Sequence, residues 1–159
     1  MATGVTAPIA LRRAQPGDLT AIMPIEAASF HRPWHKETFA SLLNRPNTDV
    51  LVATLGEAVV GYAVLTAQAG DAELANLAVD PGHRRQGVAS ALLRGCLGIL
   101  RDRGERWVFL AVRASNDGAS RLYEAFGFDE IGRHAEYYQN PTEDAVVFGL
   151  EVDRADRGH

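Results

Sequence analysis

The chain has 159 residues, 47% hydrophobic and 23% charged, with a formal net charge of −4 at pH 7, a size that suits one domain and can bury roughly 70% of its unfolded surface without help from a metal or disulfide. The acid excess argues against a general nucleic-acid binder, which shows a basic face. One cysteine, Cys96, excludes an internal disulfide, and no apolar run approaches the ~20 residues of a membrane span.

Residues 1–8 are expected to be a flexible N-terminus. They lack the basic flank and apolar run of a secretory signal, and with the single thiol this points to a reducing cytoplasm. A single domain is expected over 9–152. Ile9–Arg13 reads as the first strand, and Asp18 as the N-cap of a helix over Leu19–Ser29 that contains Pro24. Pro33 and Trp34 break the chain before a short helix over Lys36–Leu43. Val50–Thr54 and Val59–Thr66 form a hairpin about Gly56-Glu57, and Glu73–Val79 is the fourth strand. Gly87–Arg103 is a helix with apolar positions at 88, 89, 92, 93, 96, 97 and 100, ended by Gly104. Cys96 sits on that apolar face as a small core residue. Trp107–Val112 has the composition of a strand buried on both faces. Asn116 or Asp117 caps a helix to about Phe126, Phe128–Gly132 opens another strand, and Ala145–Val152 is the last. Residues 153–159 form a polar tail expected to fray. The order gives an α/β architecture, a mixed sheet flanked by helices. The five histidines show no metal-ligand spacing and read as surface polar residues, so no metal is expected.

The stretch Glu73–Leu93 carries the chemistry. A strand ends at Val79, Asp80-Pro81-Gly82 turns the chain, and Arg84-Arg85-Gln86-Gly87-Val88-Ala89 leads into the helix. A helix N-terminus offers uncommitted N–H groups and partial positive charge, and glycine lets backbone approach an anion closely. This segment resembles the coenzyme A pyrophosphate loop of the GNAT acetyltransferase superfamily, [Q/R]-x-x-G-x-[G/A]. A second block, R-A-S-N at Arg113–Asn116 followed by L-Y-E-A-F-G-F at Leu122–Phe128, resembles the RimI group of protein N-terminal acetyltransferases. The likeness spans about Leu11 to Leu150. It implies the GNAT fold, a mixed, mostly antiparallel sheet splayed between its fourth and fifth strands, and it implies acetyl-CoA as cosubstrate.

Acetyl transfer to an amine needs a held cofactor, a neutral amine, a stabilised oxyanion and a proton for the departing thiolate. The resemblance assigns the first task to the backbone of Leu77, Ala78 and Val79, to the loop Arg84, Arg85, Gln86, Gly87, Val88, Ala89 and Ser90, and to Asn116. It makes the Val79 N–H the oxyanion donor and Tyr123, also in contact with the cofactor, the acid. The chain departs from the pattern at the base. Where the RimI block reads W-L-E-V-R-A-S-N, this chain has Phe109-Leu110-Ala111-Val112-Arg113-Ala114-Ser115-Asn116, and Ala111 accepts no proton. Glu73, on the fourth strand where histone-type GNAT enzymes place a glutamate, is the expected replacement, its pKa lifted by partial burial. Asp71 is the reserve; a proton relay by water alone and a weak or altered activity are the other readings of Ala111.

Phe30, Trp34, Tyr137 and Tyr138 are expected to bind the acceptor. The first two lie in a turn like the group's F-x-x-P-W, and the paired tyrosines in a polar loop. The acceptor expected from the resemblance is a protein N-terminal α-amine, with a ribosomal protein as the group's typical target. A small-molecule amine and a catalytically weak acyl-CoA-binding module are the rival readings. No nucleic-acid or membrane partner is expected, and monomer and homodimer both remain open.

Overall fold

The structure, a computed structural model, describes residues 8–152. The expectations for 1–7 and 153–159 concern residues outside that range. The elements run β1 (Ile9–Arg13), a 3-10 turn (Pro16–Asp18), α1 (Leu19–Ser29), α2 (Lys36–Leu43), β2 (Thr48–Leu55), β3 (Ala58–Gln68), β4 (Asp71–Val79), a second 3-10 turn (Pro81–His83), α3 (Val88–Asp102), β5 (Trp107–Arg113), α4 (Asp117–Ala125), β6 (Asp129–Tyr138) and β7 (Glu143–Glu151). The strand order in the sheet is β1-β2-β3-β4-β5-β7-β6. The chain forms two compact units, one ending at Val64 and resuming over Asn76–Gly95, the other comprising Leu65–Ala75 and the chain from Cys96 onward.

In the first unit β1 pairs antiparallel with β2, Ile9 opposite Leu55 and Arg13 opposite Leu51. Ile22 and Ile25 of α1, Phe39 of α2 and Val52, Val60 and Tyr62 of the strands are buried together. A Cβ on Gly61 would lie 2.9 Å from Val88 Cγ1 and 3.0 Å from the Ala78 carbonyl oxygen, so glycine in β3 lets the first turn of α3 lie close on the sheet. Asp18 precedes α1 as expected, but its side chain does not cap that helix. Its own backbone is already helical, at φ −74°, and the carboxylate turns back to accept the Arg12 guanidinium at 2.7 and 2.8 Å and the Gln15 N–H at 2.7 Å.

In the second unit β4 and β5 pair in parallel from Asp71 opposite Trp107 to Glu73 opposite Phe109. The ladder stops there, between the two strands that the resemblance expected to splay apart. β5 then pairs antiparallel with β7 along its whole length. The expectation that β5 is buried on both faces fails. Val108, Leu110 and Val112 are buried, while Trp107 and Ala111 are exposed, the alternation of a strand with one open face. Cys96 is buried, as its helical position implied.

The strand expected to open at Phe128 continues to Tyr138. The register shifts between His134 and Tyr138, and Glu136 takes φ +52°. Its N–H donates to the Asp144 carboxylate at 3.0 Å instead of extending the ladder. This bulge re-aims the end of the strand. Tyr137 and Tyr138 therefore belong to β6 and not to the polar loop the sequence suggested.

Candidate active site

In the first unit, Asp80 closes the turn after β4. Its carboxylate accepts the Gly82 N–H at 3.2 Å and lies 2.7 Å from His83 Nδ1. Arg84, Arg85, Gln86 and Gly87 follow, all exposed, with left-handed φ of 65° at Arg85 and 84° at Gly87. A Cβ on Gly87 would meet no protein atom within 4 Å. The first turn of α3 begins immediately, with Ala91 N–H donating to the Gly87 carbonyl at 3.0 Å. The N–H groups of Val88, Ala89 and Ser90 precede that bond, so this helix end keeps its donors for an external acceptor. Two arginines, an open glycine cradle and a helix N-terminus suit a diphosphate.

The same unit holds the aromatic turn. Phe30 is 36% exposed. Trp34 is half-buried, its ring 5.4 Å from Phe39, and its backbone N–H donates to Glu26 Oε2 at 2.8 Å. Of the two residues, Phe30 is the one presented to solvent.

In the second unit, Asn116 caps α4 by accepting the Ala119 N–H at 3.1 Å, as its place before the helix implied. Tyr123 is buried, its ring 5.5 Å from Phe128 and 6.2 Å from Phe148. Burial raises its hydroxyl well above the ordinary tyrosine range, and Cys96 and Tyr138 add to the shift.

Glu73 lines a cleft of about 180 Å³ with Phe109, Leu110, Ala111, His134, Tyr137, Ala145 and Val147. Glu73 and Ala111 thus share one concavity. Glu73 is exposed, where partial burial was expected, and it stands in the last pair of the β4–β5 ladder, opposite Phe109. Asp71 is absent from this lining, and its Oδ1 is buried without a hydrogen-bond partner.

Tyr137 is 55% exposed, its ring 4.9 Å from His134 and 5.1 Å from Tyr138. Tyr138 is half-buried beneath the Arg113 guanidinium, 4.6 Å from the ring centre. Burial, then Tyr137, raises the Tyr138 hydroxyl. Arg113 also donates to the Pro141 carbonyl at 3.0 Å and the Gln139 carbonyl at 2.9 Å, fixing the turn that follows the tyrosines.

Two residues escaped sequence reasoning. The spacing of the histidines marks His134 only as surface polar, and its place in the cleft follows from the full length of β6. Glu26 belongs to no motif, and its one signal in the sequence is a carboxylate among apolar neighbours in Ile25-Glu26-Ala27-Ala28.

The Acetyltransferase (GNAT) family model matches residues 19–128. The chain belongs to the GNAT acetyltransferase family. This GNAT chain is 35% identical over 137 residues to the [ribosomal protein bS18]-alanine N-acetyltransferase of Escherichia coli, covering 85% of this chain and 92% of that one. A Haemophilus ducreyi protein of the same description is 35% identical over 138 residues, covering 84% and 93%. The crystal structure of the ribosomal-protein-S18-alanine N-acetyltransferase from Escherichia coli superposes with a TM-score of 0.84 at 33% identity, over 91% of this chain and 94% of that one. Ard1 from Thermoplasma volcanium gives 0.83 at 27% identity, over 90% and 97%. This GNAT protein is an N-acetyltransferase.

Proposed function

We propose that the chain acetylates the N-terminal α-amine of a protein, using acetyl-CoA. The observation that carries the reading is the cleft that joins Glu73 to Ala111, His134 and Tyr137. It returns a carboxylate to a concavity whose β5 position has lost the expected glutamate. The relatives named for ribosomal protein bS18 and its alanine support a protein terminus as the acceptor and a ribosomal protein as its source.

Acetyl-CoA would supply the activated acyl group as a thioester. The Gly87 cradle and the N–H groups from Arg85 to Ser90 would hold its diphosphate, with Arg84 and Arg85 supplying positive charge. The backbone of Leu77–Val79 lies beyond the part of β4 that pairs with β5 and would hydrogen-bond the extended arm as a strand edge holds a peptide. Asn116 would assist at the start of α4. The Val79 N–H would stabilise the developing oxyanion.

Glu73 would accept the proton of the incoming amine, directly or through one water. An α-amine has an ordinary pKa of about 8, so a fraction is neutral at pH 7 and an exposed carboxylate suffices. Tyr123, kept protonated by its burial, would give its proton to the leaving sulfur. Phe30, Tyr137 and Tyr138 would contact the acceptor, and Trp34 would support the turn that carries Phe30.

The test is release of free thiol from acetyl-CoA in the presence of N-terminal peptides, including Ala-initiated ones, and of small amines. Turnover confined to peptides supports the reading. Turnover confined to small amines replaces the acceptor, and binding without turnover leaves an acyl-CoA-binding module.

A further inference from the structure

Glu26 is one of three polar or charged residues buried among the described residues, at 1% exposure. Its carboxylate is the hub of a network within the first unit. Oε1 accepts the Tyr62 hydroxyl and, at 2.9 Å, Asn76 Nδ2; Oε2 accepts the Trp34 N–H at 2.8 Å. Tyr62 is itself fully buried, with its ring edge-on to Phe39 at 5.6 Å, and Phe39 packs on Trp34. A buried carboxylate that holds several donors is a rigid joint, because those donors lose their partner if the oxygens leave. The joint connects two functional segments. Trp34 ends the turn that presents Phe30, and Asn76 immediately precedes Leu77–Val79 in β4.

We infer that Glu26 is a positioning residue for acceptor binding, its buried carboxylate fixing the Phe30–Trp34 turn to β4 through the Trp34 N–H and the Asn76 side chain. The inference rests on the proposed role of that turn in holding the acceptor. Glu26 touches no reacting atom. Its effect falls on the affinity for the amine acceptor and not on the chemical step.

The experiment uses the full chain with Trp107→Phe, which leaves Trp34 as the one tryptophan of the sequence. Glu26→Leu conserves approximate volume and removes both acceptor oxygens. Acrylamide quenching of Trp34 should rise, because the turn is released. The KM for the best acceptor found in the panel should rise about tenfold, the scale of one charge-assisted hydrogen bond, with kcat within about threefold. Glu26→Gln keeps one acceptor oxygen and should show about half of the effect in free energy, with quenching between the wild type and Glu26→Leu. If Glu26→Leu does not fold, Glu26→Gln decides alone. It must then raise the acceptor KM by about threefold, half of that effect in free energy, at constant kcat.

Increased quenching with an unchanged acceptor KM would overturn the inference, since the turn released by the loss of Glu26 would not be what reads the acceptor. Unchanged quenching would overturn it at the first step. A proportional loss of kcat and of folded protein would make Glu26 merely structural. The quenching arm needs no acceptor, so a failure of the peptide-acceptor reading, seen in the wild-type panel, stays distinct from a failure of this inference.

Discussion

Tyr123 is enclosed by Phe128 and Phe148, and its hydroxyl stays protonated well beyond neutral pH because burial disfavours the phenolate. Tyr123→Phe removes that hydroxyl and little packing. Turnover should fall by roughly 10- to 1,000-fold, around the range for a lost general acid, with the acetyl-CoA KM nearly unchanged. The deficit should be constant from pH 6 to 9, as the tyrosine does not titrate there. Wild-type turnover would make Tyr123 a core residue only. Glu73→Gln should behave differently. Its turnover should fall roughly 10- to 100-fold at neutral pH, at the low end for a positioned base. The deficit should shrink above the amine pKa of about 8. Ala111→Glu should partly rescue it, because both positions line one cleft. A His134→Gln enzyme with that same pH pattern, beside an unaffected Glu73→Gln enzyme, would transfer the role to the imidazole. The sequence displayed Tyr123 through its L-Y-x-x-x-G-F setting. It exposed the gap at Ala111 equally well. It did not display His134, whose approach to Glu73 is a consequence of pairing between strands distant in the chain.

At the scale of elements, helix bounds were readable to within about a residue because their caps are local: Gly104 at φ +73° ends α3, and Asn116 caps α4 by its own side chain. Strands were less readable. β2, β3 and β6 all run past their expected ends, since a strand's length is set by its partner and not by its own residues. β6 is the extreme case, an edge strand with almost no buried residue to mark it. What fixes its far end is a cluster around Arg113 and Glu143. Glu143 accepts the Ser115 N–H at 2.5 Å and a 3.3 Å bond from Arg113. Its pKa is lowered, first by the contact with Ser115 and then by Arg113. A carboxylate whose folded pKa is depressed contributes its full stabilisation above the unfolded glutamate pKa of about 4.3, and loses it as pH falls through the folded value. The amides of Gln139, Asn140, Thr142 and Glu143 and the Tyr138 ring should therefore become mobile below pH 4, and stay ordered at pH 6. NMR spectra of the two samples check this. Glu143→Gln should show the low-pH behaviour already at pH 6, while equal order in all three would exclude the cluster as the clasp of β6.

For the molecule as a whole, the fold class and the family were legible because the chemistry of the helix N-terminus is written contiguously, in Arg84–Ala89, and the R-A-S-N block follows the next strand. The joint around Glu26 was not, since Glu26, Tyr62 and Asn76 meet only after folding. Ligand-linked stability tests the contiguous part at the level of the entire chain. A ligand that binds only the folded state stabilises it by RT ln(1 + [L]/Kd), about 2.7 kcal/mol at a hundredfold excess over Kd. For a protein of this size one kcal/mol moves Tm by roughly 2–4 °C, so acetyl-CoA at that excess should raise Tm by about 5–10 °C. Gly87→Ala carries two separable effects. The left-handed φ of 84° costs an L-residue roughly 1–2 kcal/mol, which lowers Tm without ligand. The added methyl enters space free of protein atoms, where the diphosphate would lie, so the ligand-induced rise should shrink toward zero as well. Differential scanning fluorimetry with and without acetyl-CoA measures both terms. A variant with lowered Tm but the full ligand-induced rise would show that Gly87 serves the backbone turn alone, and the diphosphate would have to be sought away from the start of α3.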